Sequence, residues 1–69
     1  MEIKSEMAAS VWQVVVAEGD EVAEGDTLLV LESMKMEIPV EAPKAGKVSS
    51  LLVKAGDTVD EYQVLAILD

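Results

Sequence analysis

The sequence predicts an all-β fold: a small antiparallel sandwich or barrel whose halves are related by a quasi-two-fold axis. Three observations point there. The apolar residues are mostly valine and leucine, with no phenylalanine, one tryptophan and one tyrosine, a mix that suits a thin β core better than a helical bundle. Short β runs alternate with Gly-Asp turns. And the chain repeats itself once.

The run VWQVVVAEGDEVAEGDTLLVLE from Val11 aligns without gaps on VSSLLVKAGDTVDEYQVLAILD from Val48, at a constant offset of 37 residues. Val16 meets Val53, Gly19-Asp20 meets Gly56-Asp57, Val22 meets Val59, Leu28 meets Leu65 and Leu31 meets Leu68. Carried backwards, Ile3 meets Val40 and Ala9 meets Gly46, so 1–32 and 38–69 read as two copies within a single domain of 69 residues, joined by 33–37. Two copies are too few for a solenoid and are expected to pack on each other. In order, the expected strands are roughly 2–6, 11–16, 27–32, 36–41, 47–53 and 64–68, with very short ones near Val22 and Val59. VWQVVV and TLLVLE are apolar at consecutive positions where a one-sided strand would alternate, which suggests closed sheet edges or burial on both faces.

A chain of this length buries only about 60% of its unfolded surface. It has no cysteine and no histidine, hence no disulfide, no soft or imidazole metal ligand, and no Ser-His or Cys-His nucleophile. Carboxylate pairs are available, but nothing here is long enough to form a cleft around one. A non-catalytic protein is expected. Fourteen acidic against five basic residues, a net charge of −9, repel phosphate backbones and anionic membranes, so neither nucleic acid nor membrane is an expected partner. With no secretory leader and no apolar run long enough for a bilayer, the default expectation is a cytoplasmic protein. Asp20, Asp26 and Asp57 follow glycines and are expected to bond nearby backbone. Trp12 and Tyr62 are expected to fill the core.

Between TLLVLE and EIPVEA a tight hairpin is due, and such turns ordinarily recruit Asn-Gly or another glycine pair. This chain places Met34-Lys35-Met36 there instead, and a broken local rule marks a candidate for function. A lone loop lysine is ordinarily a solvated charge. Taken singly, Met34 and Met36 are expected to pack under the turn; as a pair bracketing a lysine they also form a soft recognition surface for an enzyme that grips it. Glu32 and Glu37 flank the tip as solvated charges.

Glu32-Ser33-Met34-Lys35-Met36-Glu37 resembles the attachment motif of the biotinyl/lipoyl domain family, written Glu-Ala-Met-Lys-Met in biotin carriers, and the likeness extends over the whole chain. The resemblance implies a barrel-sandwich hybrid, a flattened barrel or sandwich of two four-stranded antiparallel sheets, with the modified lysine at a hairpin tip opposite the chain termini. It implies biotin covalently attached to Lys35 by a biotin protein ligase, with Met34 and Met36 recognised by that ligase and Glu32 and Ser33 completing the motif. It further implies a monomeric carrier shuttling carboxylate from a biotin carboxylase to a carboxyltransferase, most often that of an acyl-CoA carboxylase. The alternatives are a lipoate carrier, against which Met34 and Met36 speak because lipoyl domains place Asp and Ala there, and an unmodified β-sandwich adaptor. Ser33 departs from the commoner alanine. Ala9 stands where the first half often has glycine, at a cost of about 1 kcal/mol if φ is positive there. A thumb-like insertion found in some bacterial acetyl-CoA carboxylase carriers is absent, which favours a different carboxylase or a looser partner set.

Overall fold

The computed structural model describes residues 1–69. Eight strands form and no helix: β1 (Glu2–Lys4), β2 (Ala9–Val14), β3 (Glu21–Val22), β4 (Thr27–Ser33), β5 (Met36–Glu41), β6 (Gly46–Leu51), β7 (Thr58–Val59) and β8 (Val64–Leu68). They build two antiparallel sheets, ordered β1-β8-β6-β3 and β5-β4-β2-β7. A shift of 37 residues carries β2 onto β6, β3 onto β7, β4 onto β8 and β1 onto the end of β5, which turns one sheet order into the other. Each sheet takes strands from both halves, so the copies interlock. Neither half could bury its own apolar face alone.

The apolar runs have a specific cause. Opposite β5, Thr27 pairs with Glu41 and Leu29 with Val40, leaving Leu28 as an extra residue; opposite β1, Lys4 pairs with Val64 and Ile3 with Ala66, leaving Leu65. These matched bulges turn consecutive side chains inward, so Leu28, Leu29, Leu65 and Ala66 are all fully buried. A second matched pair lies between Val11 and Gln13 and between Val48 and Ser50. Beyond them β2 ends at Val14 and β6 at Leu51, earlier than the apolar runs suggest. Val15 and Val16 both donate to the Leu28 carbonyl, at 3.0 and 3.3 Å, so the ladder has already closed there.

Turns follow the repeat. Asp20 Oδ2 accepts from Ala17 N at 2.9 Å, Asp26 Oδ2 from Ala23 N at 2.8 Å and Asp57 Oδ2 from Lys54 N at 3.0 Å, as expected of turn aspartates. Gln63 takes the place of a fourth, its Oε1 accepting from Asp60 N at 2.9 Å. The repeat breaks beside it: Gly25 has φ 88°, and its counterpart Tyr62 adopts φ 67° with 70% of its surface exposed. The expectation that Tyr62 fills the core is therefore corrected, because a side chain that leaves from this turn points into solvent. Left-handed φ costs a non-glycine residue about 1–2 kcal/mol, partly offset by the greater unfolded-state freedom of glycine. Tyr62→Gly should accordingly stabilise the protein by about 0.5 kcal/mol, raising the urea midpoint at unchanged slope.

Trp12 is likewise corrected: at the β2 bulge it turns outward and is 51% exposed. Ala9 is buried in β2 without positive φ, so its feared cost does not arise. Glycine at Gly46 serves close approach rather than φ, since a Cβ there would collide with the Asp69 backbone carbonyl.

Candidate cofactor attachment site

The site is built by the longest strand pairing in the molecule. β4 and β5 pair from Thr27↔Glu41 to Ser33↔Met36, and Leu29 and Leu31 from β4, with Ile38 and Val40 from β5, pack the base of this hairpin against the core. Only Met34 and Lys35 remain for the loop, and both have positive φ, 53° and 64°. A type I′ two-residue hairpin turn, whose twist matches the right-handed twist of its strands, requires both. Glycine would meet the requirement freely, whereas Met-Lys meets it at about 1–2 kcal/mol per residue. The strain is sustained by the anchored strands below.

The six residues singled out from sequence, Glu32 to Glu37, all come together at this end. Ser33 is half-buried and pairs with Met36. Glu32 and Glu37 face each other across the hairpin, both exposed; like charges in this position are unfavourable for pairing. Met34 is 91% exposed and Met36 62%, which overturns the expectation that each packs under the turn: a two-residue loop has no space beneath it for Met34, and Met36, paired with Ser33 at the start of β5, lies beyond the last core-packed residue of that strand, Ile38. What remains is the pair reading, two soft apolar side chains on either side of Lys35. Lys35 is exposed and its Nζ makes no hydrogen bond or ion pair; the molecule's one ion pair joins Lys4 to Glu2 at 3.8 Å. The quasi-two-fold axis carries this tip onto the chain ends, where the Met1 ammonium donates to the Leu68 carbonyl at 2.6 Å and Leu68 N to the Met1 carbonyl at 2.8 Å. Those bonds are the counterpart of the Leu31↔Ile38 pair.

A lysine presented in this way suits a group held by one amide bond, which needs an accessible primary amine and no enclosing cavity. A family model described as "Biotin-requiring enzyme" matches residues 1–68. The chain belongs to the biotinyl/lipoyl attachment family. This biotinyl domain is 48% identical over 67 residues to the "Biotinylated protein TB7.3 homolog" of Mycobacterium leprae, covering 97% of this chain and 94% of that protein. It is 43% identical over 65 residues to the "Biotin/lipoyl attachment protein" of Bacillus subtilis, covering 94% and 89%. Among solved structures it superposes on the urea carboxylase of Kluyveromyces lactis with a TM-score of 0.93 and 38% identity, and on a single-chain, multi-domain long-chain acyl-CoA carboxylase with a TM-score of 0.91 and 32% identity. It covers 100% and 96% of itself in those alignments, and only 6% and 7% of the large enzymes. The cofactor of this biotinyl domain is biotin.

Motif reading located the tip; the two left-handed residues that shape it were missed. The signal was present, in that a loop of two residues without glycine between paired strands must place both at positive φ. No helix of the chain is long and apolar enough to cross a membrane.

Proposed function

We propose that Lys35 carries biotin and that the domain acts as a non-catalytic carrier, moving carboxyl groups between a biotin carboxylase and a carboxyltransferase, in the first instance of an acyl-CoA carboxylase. The carrying observation is an unpaired lysine amine at the outermost point of a rigid hairpin. Attachment requires a biotin protein ligase: the Lys35 amine, deprotonated, attacks the activated carboxyl carbon of biotin, an amide forms, and the activating group leaves. Biotin, once bound, supplies a ureido nitrogen able to take up and give back a carboxyl group.

The chain's own residues do the rest. Leu29, Leu31, Ile38 and Val40 hold the hairpin base still, and the left-handed pair at Met34 and Lys35 turns the lysine away from the barrel. A tether of this kind holds its cargo at an effective concentration in the millimolar range near the sites it serves. The short edge strands β1, β3 and β7, together with Pro39 in β5, give other copies little edge to pair with, which supports a monomeric carrier. The likeness to a long-chain acyl-CoA carboxylase supports the acceptor class.

Intact mass of protein from its native host, followed by peptide mapping, tests the assignment. The expected result is a biotin-sized increment confined to the peptide that contains Lys35. Unmodified protein that also refuses biotin from a competent ligase would replace the carrier reading with that of an adaptor.

A further inference from the structure

The duplication supplies an internal control, because each position on one sheet has a counterpart that meets the same folding requirement on the other. Trp12 and Ser49 occupy the same bulge, one in β2 opposite β4 and one in β6 opposite β8. Ser49 Oγ donates to the Ile67 carbonyl at 3.1 Å. Trp12, the only tryptophan of the chain, leaves 51% of its surface in solvent. Since the fold accepts serine at this place, folding does not account for the indole.

Its surroundings differ from those of Ser49 in a directed way. Leu29 and Leu31 point inward, so Val30 and Glu32 point outward. The register sets Val30 between Gln13 and Pro39, and Glu32 between Ser10 and Glu37. At the bulge Trp12 and Gln13 together oppose Val30, so the outer face presents an apolar row of Trp12, Val30 and Pro39 with the polar Gln13 alongside, then the acidic pair Glu32 and Glu37, then Lys35. On the other sheet the apolar row becomes Ser49, Ile67 and Glu2, and no lysine tip lies beyond it.

We propose that the outer face of β5-β4-β2, centred on Trp12, is where the biotin protein ligase seats this domain, through an apolar recess for the indole and a cationic rim for the two glutamates. The inference rests on Lys35 being the attachment residue. A ligase must bring the Lys35 amine itself to about 3–3.5 Å from the activated carbon, so its body has to lie against the strands behind the tip. Val30 is five residues from Lys35, about 16 Å along a strand. A carboxylase centre would have to reach only the far end of a biotinyl arm, so its chemistry does not demand contact with these strands, whereas that of the ligase does. A half-exposed tryptophan in an apolar row is the kind of anchor that dominates protein interfaces, and opposed charge at the rim speeds and orients encounter.

Trp12→Ser installs the residue that the fold already accepts at position 49. The variant should keep its circular dichroism and melting temperature, while the KM for biotinylation by the ligase rises about ten-fold or more with kcat little changed. Leu52→Ser, which replaces an equally exposed hydrophobe (54%) after β6, should leave both constants alone. With 5-fluorotryptophan at position 12, the fluorine resonance should shift or broaden when ligase is added without ATP or biotin, and less so at high salt. Parental KM for Trp12→Ser together with an unmoved resonance overturns the docking face and leaves Lys35 standing. Failure of the parent to label on Lys35 removes both readings.

Discussion

Lys35→Arg is expected to abolish biotin labelling completely while its thermal melt overlays that of the parent. Both halves follow from one geometry. The Lys35 side chain is exposed and unpaired, so removing its amine takes no contact from the core, and arginine at the same left-handed position carries a backbone cost similar to lysine's. Chemically the exchange is total, because the guanidinium stays protonated and cannot attack an activated carboxyl. The measurement is avidin-blot intensity and intact mass after incubation with ligase, ATP and biotin. Residual label on the variant would move the attachment to another of the four remaining lysines, Lys4, Lys44, Lys47 or Lys54.

The largest effect on stability is expected at the bulge leucines. Leu65→Ala should cost about 2–5 kcal/mol, the range for a buried leucine whose cavity collapses only in part. Leu65 is fully buried because a bulge inserts it as an extra inward residue, and no neighbouring backbone can shift into the space without undoing that bulge. A domain of this size has about 5 kcal/mol or little more in total, so the single substitution should bring its urea midpoint close to zero. Leu28→Ala, at the quasi-equivalent bulge, should behave alike, and the double variant should not fold. Urea unfolding followed by far-UV circular dichroism decides it; a loss below about 1 kcal/mol would mean that the bulge does not bury its leucine.

Much of this was legible because the molecule contains the same instruction twice. Gly19-Asp20 and Gly56-Asp57 set turns whose aspartates cap nearby amides, and local chemistry of this kind survives in any tertiary setting. Lys35 stood out because Met34-Lys35-Met36 occupies a place where a turn ordinarily demands glycine. The misreadings share a cause. Trp12, Tyr62, Met34 and Met36 are apolar residue types that sequence reasoning sends inward, yet Trp12 leaves the chain at a bulge, Tyr62 and Met34 at left-handed turn residues, and Met36 at the start of β5, on the face of Ile38 and Val40 but where the hairpin has run past the core. Residue type reports a preference for burial; backbone direction and position decide whether it can be met.

By itself the sequence determined the all-β class, the two-fold repeat, the approximate strands and the hairpin that holds Lys35, since these depend on residue spacing and turn chemistry within a few positions along the chain. Only the tertiary structure decided that the two copies interlock, with strands of both in each sheet, and that Leu28 and Leu65 reach the core through bulges. It alone decided that Trp12 faces solvent on the sheet that ends in Lys35. The physical reason is that a β-strand's neighbours are chosen across the whole chain: register and bulges arise from pairing between distant segments, and a shift of one residue in that pairing exchanges the buried face for the exposed one.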